Sequence, residues 1–148
     1  MPEKDLYQVS LKLILKNDQG EILILKSLDD NGVFSGFYDL PGGRIDDNEF
    51  NIDFTDILKR EVAEEIGEVK VSIVNKPVAL GRAQSHRLNS RGTYSRVLYV
   101  FFEADYHAGD ITISEEHLAY KWIKLDDVKI EDYFVSGILE GIKMYLDL

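Results

Sequence analysis

From residue 7 the chain alternates: Tyr7, Val9, Leu11, Leu13 and Leu15 fall on one side, and Gln8, Ser10 and Lys12 on the other. A period of two predicts a half-buried strand over 7–15. "NDQG" at 17–20 is a turn signal and "EILILK" at 21–26 a returning strand, so the two together predict a hairpin. "SLDDNGVFSGF" reads as a surface loop, and "LPGG" at 40–43 as a tight turn, because proline fixes φ and glycine reaches angles closed to other residues. The period then changes. Phe54, Ile57, Leu58, Val62 and Ile66 recur at helical spacing and predict a helix from Asp53 to Ile66, with Asp53 as N-cap and Gly67 as the stop. Strands are expected at 69–74, 78–83 and 94–106, with the polar "QSHRLNSRG" (84–92) as the loop before the last. "YKWIKL" at 120–125 is a further strand, and 133–146 an amphipathic helix that buries Ile138, Leu139, Ile142 and Leu146. The order β-β-α-β-β-β-β-α predicts an α/β (α+β) protein, a mixed sheet with helices packed on it.

The length of 148 residues suits one domain over 1–148, and neither a repeat nor a low-complexity linker divides it. No apolar run approaches the roughly 20 residues that span a bilayer. The opening "MPEKDLYQVS" lacks the apolar stretch of a signal peptide, which points to the cytoplasm. The absence of cysteine removes disulfides, thiolate metal sites and a thiol nucleophile together. A metal here would be held by oxygen or imidazole, which favours Mg²⁺, with Mn²⁺ as the alternative. A net charge of −10 argues against a nucleic-acid partner. The distribution says more than the sum. Between Glu68 and Glu103 there is no acidic residue, while Lys70, Lys76, Arg82, Arg87, Arg91 and Arg96 fall in that stretch. An anionic ligand fits between this basic segment and an acidic helix if a metal bridges it to the helix.

"KREVAEEIG" at 59–67 supplies that helix: Glu61, Glu64 and Glu65 share one face, where like charges repel. A solvated acidic face is the ordinary explanation of such a cluster. Two features weigh against it. Val62 and Ile66 flank the same face, so the glutamates sit at the core boundary, and a Gly-Gly turn lies upstream. "GGRIDDNEFNIDFTDILKREVAEEIGE" resembles the signature of the Nudix hydrolases, the MutT-type pyrophosphohydrolases. Their pattern is G, five residues, E, seven residues, then R-E-aliphatic-x-E-E-x-G-aliphatic. Gly43 and Glu49 match its first half, and Arg60, Glu61, Val62, Glu64, Glu65 and Gly67 its second. With the preceding "YDLPGG" and the strand order, the resemblance extends over most of the chain. Two departures stand out. Ten residues separate Glu49 from Arg60, three more than the pattern, and Glu68 takes the closing aliphatic position. The longer spacing puts in question whether Glu49 still braces the arginine.

The resemblance implies a Nudix-type α/β/α sandwich and metal-assisted hydrolysis of a diphosphate linkage in a small nucleotide. It implies that Glu61, Glu64 and Glu65 hold metal, that the Gly42 carbonyl adds a ligand, and that Arg60 orients the glutamates. The phrase "EHLAYKW" is shared with small Nudix enzymes and nominates Glu116, rather than Glu115, as a further metal-side acid or base; a solvated loop acid is the alternative. His117 reads as a structural imidazole. Arg44, Arg82, Arg87 and Arg91 are candidates for phosphate contact, with His86 beside them, since guanidinium forks suit phosphate oxygens; protection of an edge strand explains the same residues. Phe34, Phe37 and Tyr38, with Tyr120 and Trp122, serve either the core or a stacked base. A nucleotide sensor that does not cut is the competing reading, against which the intact glutamate set speaks. The choice of nucleotide, the base and a homodimer are left open.

Overall fold

The computed structural model describes residues 2–28 and 36–148, apart from the side chains of residues 86 and 87. Phe34 lies outside these residues, as do the side chains of His86 and Arg87. The elements are β1 (Gln8–Lys16), β2 (Ile22–Ser27), β3 (Tyr38–Asp39), β4 (Gly42–Arg44), α1 (Phe54–Ile66), β5 (Lys70–Leu88), β6 (Tyr94–Ala108), β7 (His117–Ile123) and α2 (Ser136–Tyr145). One sheet holds all seven strands in the order β3-β2-β1-β6-β5, with β4 added to β1 and β7 to β2. The pairing of β1 with β6 is parallel over nine residues and every other pairing is antiparallel, so the sheet is mixed.

Both faces of this sheet are covered. Leu11, Leu13 and Leu15 point to one face and pack with Ile57, Leu58, Val62 and Ile66 of α1. Ile14, Ile24 and Phe101 point to the other and pack with Phe134 and with Ile138 and Ile142 of α2. The result is a helix/sheet/helix sandwich. It also corrects the expectation of a half-buried β1: the parity of its side chains is as the alternation predicts, but Ser10 and Lys12 are only 3% and 6% exposed. A central strand has no solvent side, and its polar residues must find partners inside.

The predicted hairpin is a fork. The chain reverses at 17–21, but β1 and β2 pair only at its root, Lys16 with Ile22. Beyond it they splay, and the segment from Tyr38 to Arg44 crosses the gap, β3 pairing with β2 and β4 with β1. The "LPGG" stretch is therefore a bridge between diverging strands and not an isolated turn. The strands expected at 69–74 and 78–83 are one strand, β5, whose register slips on either side of Pro77. Proline offers no N–H, and an edge strand absorbs that in a bulge. The expected 84–92 loop shrinks because β5 stays paired out to Leu88, opposite Tyr94. The strand read at 120–125 starts earlier, at His117, and the final helix is shorter, beginning at Ser136 after a 3-10 turn over Ile130–Asp132.

Candidate active site

The site is assembled at the fork. Gly42 sits on the crossing segment with φ of 137°, and its N–H donates to Glu65 Oε1 at 2.9 Å. Glu65 reaches it from the last turn of α1 and is only 7% exposed. The next glycine is equally constrained by its neighbour: a Cβ on Gly43 would lie 2.4 Å from Glu61 Oε2. Gly42 thus gives its N–H to Glu65, and Gly43 lets bare backbone lie against Glu61. Burial pushes the Glu65 carboxyl from its ordinary 4.5 up to about 8; Lys12 and the Gly42 N–H oppose the rise, and Asp39 and Glu61 add to it. Glu61 is also raised, chiefly by burial, with Arg60 pulling the other way.

Arg60 ties the helix to the loop before it. Its Nε and Nη2 donate to the two oxygens of Glu49 at 2.9 and 2.7 Å, a bidentate pair. Its Nη1 lies 3.0 Å from Glu61 and 3.3 Å from Glu64. The contact is intact despite the three extra residues between Glu49 and Arg60; an exposed turn at 50–52 and the first turns of α1 lie between the two. Glu49 in turn accepts the Asp46 N–H, which together with Arg60 holds its carboxyl below the usual range.

The opposite wall is the segment entering β7. Thr112 and Ser114 donate their N–H groups to the carbonyls of Ile66 and Glu65, so this segment runs along the end of α1. It carries the exposed Glu115 and Glu116 to the same pocket as Asp46, Arg60, Glu61, Glu64 and Glu65, a cleft of about 670 Å³. His117 Nε2 lies 3.6 Å from Glu65 Oε2, and burial lowers the imidazole's pKa. Gly67 closes α1 with φ of 88°, donating to Ala63 O.

Behind Glu65 lies a group that the alternation did not flag. The Lys12 ammonium is 3.0 Å from Asp39 Oδ2 and 3.4 Å from Leu40 O, and it sits 5.7 Å from the centre of the Tyr99 ring. Burial opposes its charge, but Asp39, Glu65 and Tyr99 outweigh that and raise its pKa. The signal available in sequence was a lysine among leucines at the parity of Ile14. Lys12→Met is expected to cost about 2–3 kcal/mol of stability, below the range for a fully buried pair because Asp39 is 35% exposed. Urea unfolding of Lys12→Met, and of Lys12→Met/Asp39→Asn, which regains part of the loss, checks this.

The basic candidates do not converge. Arg44 lines a cleft next to the acidic pocket, with which it shares Asp46. Arg82 lines, with Arg96, a further cleft that meets the Arg44 cleft only at Tyr7, and its N–H is bound by Glu140 of α2. Arg91 stands at the tip of the β5–β6 hairpin. Tyr38 packs on Tyr133 and Trp122 on Tyr106, which makes both part of the cores.

The NUDIX domain family model matches residues 6–138. The chain belongs to the Nudix hydrolase family. Nucleoside triphosphatase NudI of Escherichia fergusonii is 30% identical over 125 residues, covering 83% of this chain and 86% of that protein. Among solved structures, the MutT protein from Methanosarcina mazei Go1 superposes with a TM-score of 0.65 at 24% identity, covering 85% of this chain and 83% of its own. The E. coli dihydroneopterin triphosphate pyrophosphohydrolase does so with a TM-score of 0.65 at 19% identity, covering 97% and 99%. These likenesses agree with the mixed, unclosed sheet and two helices described above.

Nudix hydrolases are generally dependent on a divalent metal. Among the described residues the acids do not already converge as a three-ligand cage, since Arg60 supplies the countercharge that Glu61 and Glu64 share. The chemistry nevertheless fits a hard cation. The donors are all oxygen. Burial pushes the Glu65 carboxyl up to about 8, so a cation beside it would favour its charged form, and the Gly42 backbone lies against it. A pH prediction follows from the Glu65 shift. With the folded pKa near 8 and the unfolded one near 4.5, the folded chain holds the proton longer, so this group's contribution to stability falls as pH rises from 4.5 to 8 and is flat above. Melting temperatures in chelator are expected to fall with pH more steeply in the wild type than in Glu65→Gln, which keeps only the smaller contribution of Glu61.

Proposed function

We propose that this Nudix hydrolase is a Mg²⁺-dependent pyrophosphohydrolase of small nucleotides, cutting the diphosphate linkage of a nucleoside triphosphate or a related derivative with water. The observation that carries the reading is the burial of Glu65 against the Gly42 N–H, beside Glu61, in a pocket walled by oxygen donors. The name of the NudI relatives, nucleoside triphosphatase, supports a triphosphate as the substrate class. In this reading residues 1–148 form one catalytic domain that works in the cytoplasm, and no described helix is long and apolar enough to cross a membrane.

Glu61, Glu64 and Glu65 would hold the metal with the Gly42 carbonyl, and Glu116 would approach from the facing segment. A bound divalent cation neutralises phosphate charge and makes water more acidic. The protein's own groups do the rest. Arg60, gripped by Glu49, keeps Glu61 and Glu64 aimed into the cleft. The Gly42 N–H holds Oε1 of Glu65, and His117 stands 3.6 Å from its Oε2. Glu116 is exposed and takes the proton from the attacking water. Arg44 meets phosphate oxygens in the adjoining cleft; Arg82 and Arg91 lie away from it, and the side chain of Arg87 is outside the described residues.

Titrating Mg²⁺ or Mn²⁺ into the wild type is expected to raise its melting temperature, and more at pH 8 than at pH 5.5, where protons compete for the carboxylates. Glu65→Gln is expected to lose most of that rise. An equal rise in both proteins would remove Glu65 from the ligand set.

A further inference from the structure

The three extra residues between Glu49 and Arg60 do more than lengthen a loop. In the segment that carries them Phe50 is 89% exposed, on the turn at 50–52 just before α1. Phe54, one helical turn on, packs on Phe102, 6.2 Å between ring centres. Phe50 has no ring partner among the described residues. It lines a cleft of about 850 Å³ together with Tyr7 and Arg44. Arg44 forms no salt bridge among the described residues, although the chain carries a net charge of −10. Asp46 lines both this cleft and the acidic pocket, so the two are adjoining parts of one groove.

Two adjoining clefts, one lined by carboxylates and the other carrying an arginine without a salt bridge and an aromatic ring without a ring partner among the described residues, offer the groups that a nucleotide's phosphates and base need. Phosphate belongs at the carboxylate and arginine end, and a planar base at the ring. The cleft falls in the range of roughly 300–1,000 Å³ usual for small-ligand sites. We propose that this cleft is the nucleoside subsite, in which the base stacks on Phe50 while Arg44 takes a phosphate oxygen. Stacking tolerates any base, because every base has a π-face. The subsite therefore supplies affinity for nucleosides as a class and leaves the choice of base to other contacts. This rests on the nucleotide reading given above.

The test is equilibrium binding of the α,β-methylene analogues of ATP, GTP, CTP and UTP, with Mg²⁺, to the wild type, Phe50→Ala, Phe50→Leu and Phe50→Trp. Phe50 is exposed, so the variants are expected to melt with the wild type. Phe50→Ala and Phe50→Leu are expected to bind at least about fivefold more weakly. Phe50→Trp is expected to keep its affinity and to have its fluorescence quenched by the nucleotides but not by base-free methylenediphosphonate. Affinity within twofold of wild type in Phe50→Ala would overturn the subsite, and so would wild-type protein that binds none of the four. If the ring dependence appears but the wild type hydrolyses no natural nucleotide, the hydrolase reading fails and the subsite stands.

Discussion

Glu65→Gln is expected to lower kcat/KM for the preferred nucleotide by about a hundredfold to ten-thousandfold, the scale of losing a positioned acid–base or metal-side group. The change keeps the side chain's shape and still offers the Gly42 N–H an oxygen. It removes the charge. Since burial already drives Glu65 toward its protonated form, the folded protein loses little stability at neutral pH without metal and can gain some. Activity thus falls while stability holds or rises, a pattern that a merely damaged fold does not give. Steady-state kinetics beside a melting curve in chelator reads both at once.

Gly42→Ala is expected to be the most damaging single change in the fork, costing more than about 4 kcal/mol and with it all activity. A Cβ at this position would lie 1.9 Å from the Leu11 carbonyl oxygen, which is backbone of a central strand and cannot step aside. The φ of 137° adds strain that only glycine escapes. Gly43→Ala is the informative neighbour. Its Cβ meets the end of the Glu61 side chain, which can swing away, so it is expected to fold and to lose activity. Urea unfolding and turnover of the two variants separate a backbone clash from a displaced carboxylate.

What sequence could reveal followed the range of the interactions. The glutamate cluster was legible because helical spacing is local, and Glu61, Glu64 and Glu65 need nothing distant to share a face. The family and the mixed sheet were legible for a related reason, since the box is long and the strand periods are clear. The fork was not. That β1 and β2 part after one pair, with β3 and β4 filling the gap, depends on contacts between residues far apart in the chain. Lys12 was hidden by the same fact: alternation shows which way a side chain points, and only the packing of α2 shows that both sides are inside. The basic segment misled in a different way. Its charges are clustered in sequence, but successive residues of a strand face opposite ways and a long hairpin spreads them, so Arg82 and Arg91 stand apart from Arg44.

The account is tested most directly by product analysis on nucleoside triphosphates, nucleotide sugars, ADP-ribose, dinucleoside polyphosphates and dihydroneopterin triphosphate, run with Mg²⁺ and with chelator. It predicts that at least one triphosphate yields a monophosphate and pyrophosphate, that chelator stops the reaction, and that Glu65→Gln nearly does. Turnover that persists in chelator, or is unchanged in Glu65→Gln, would contradict it.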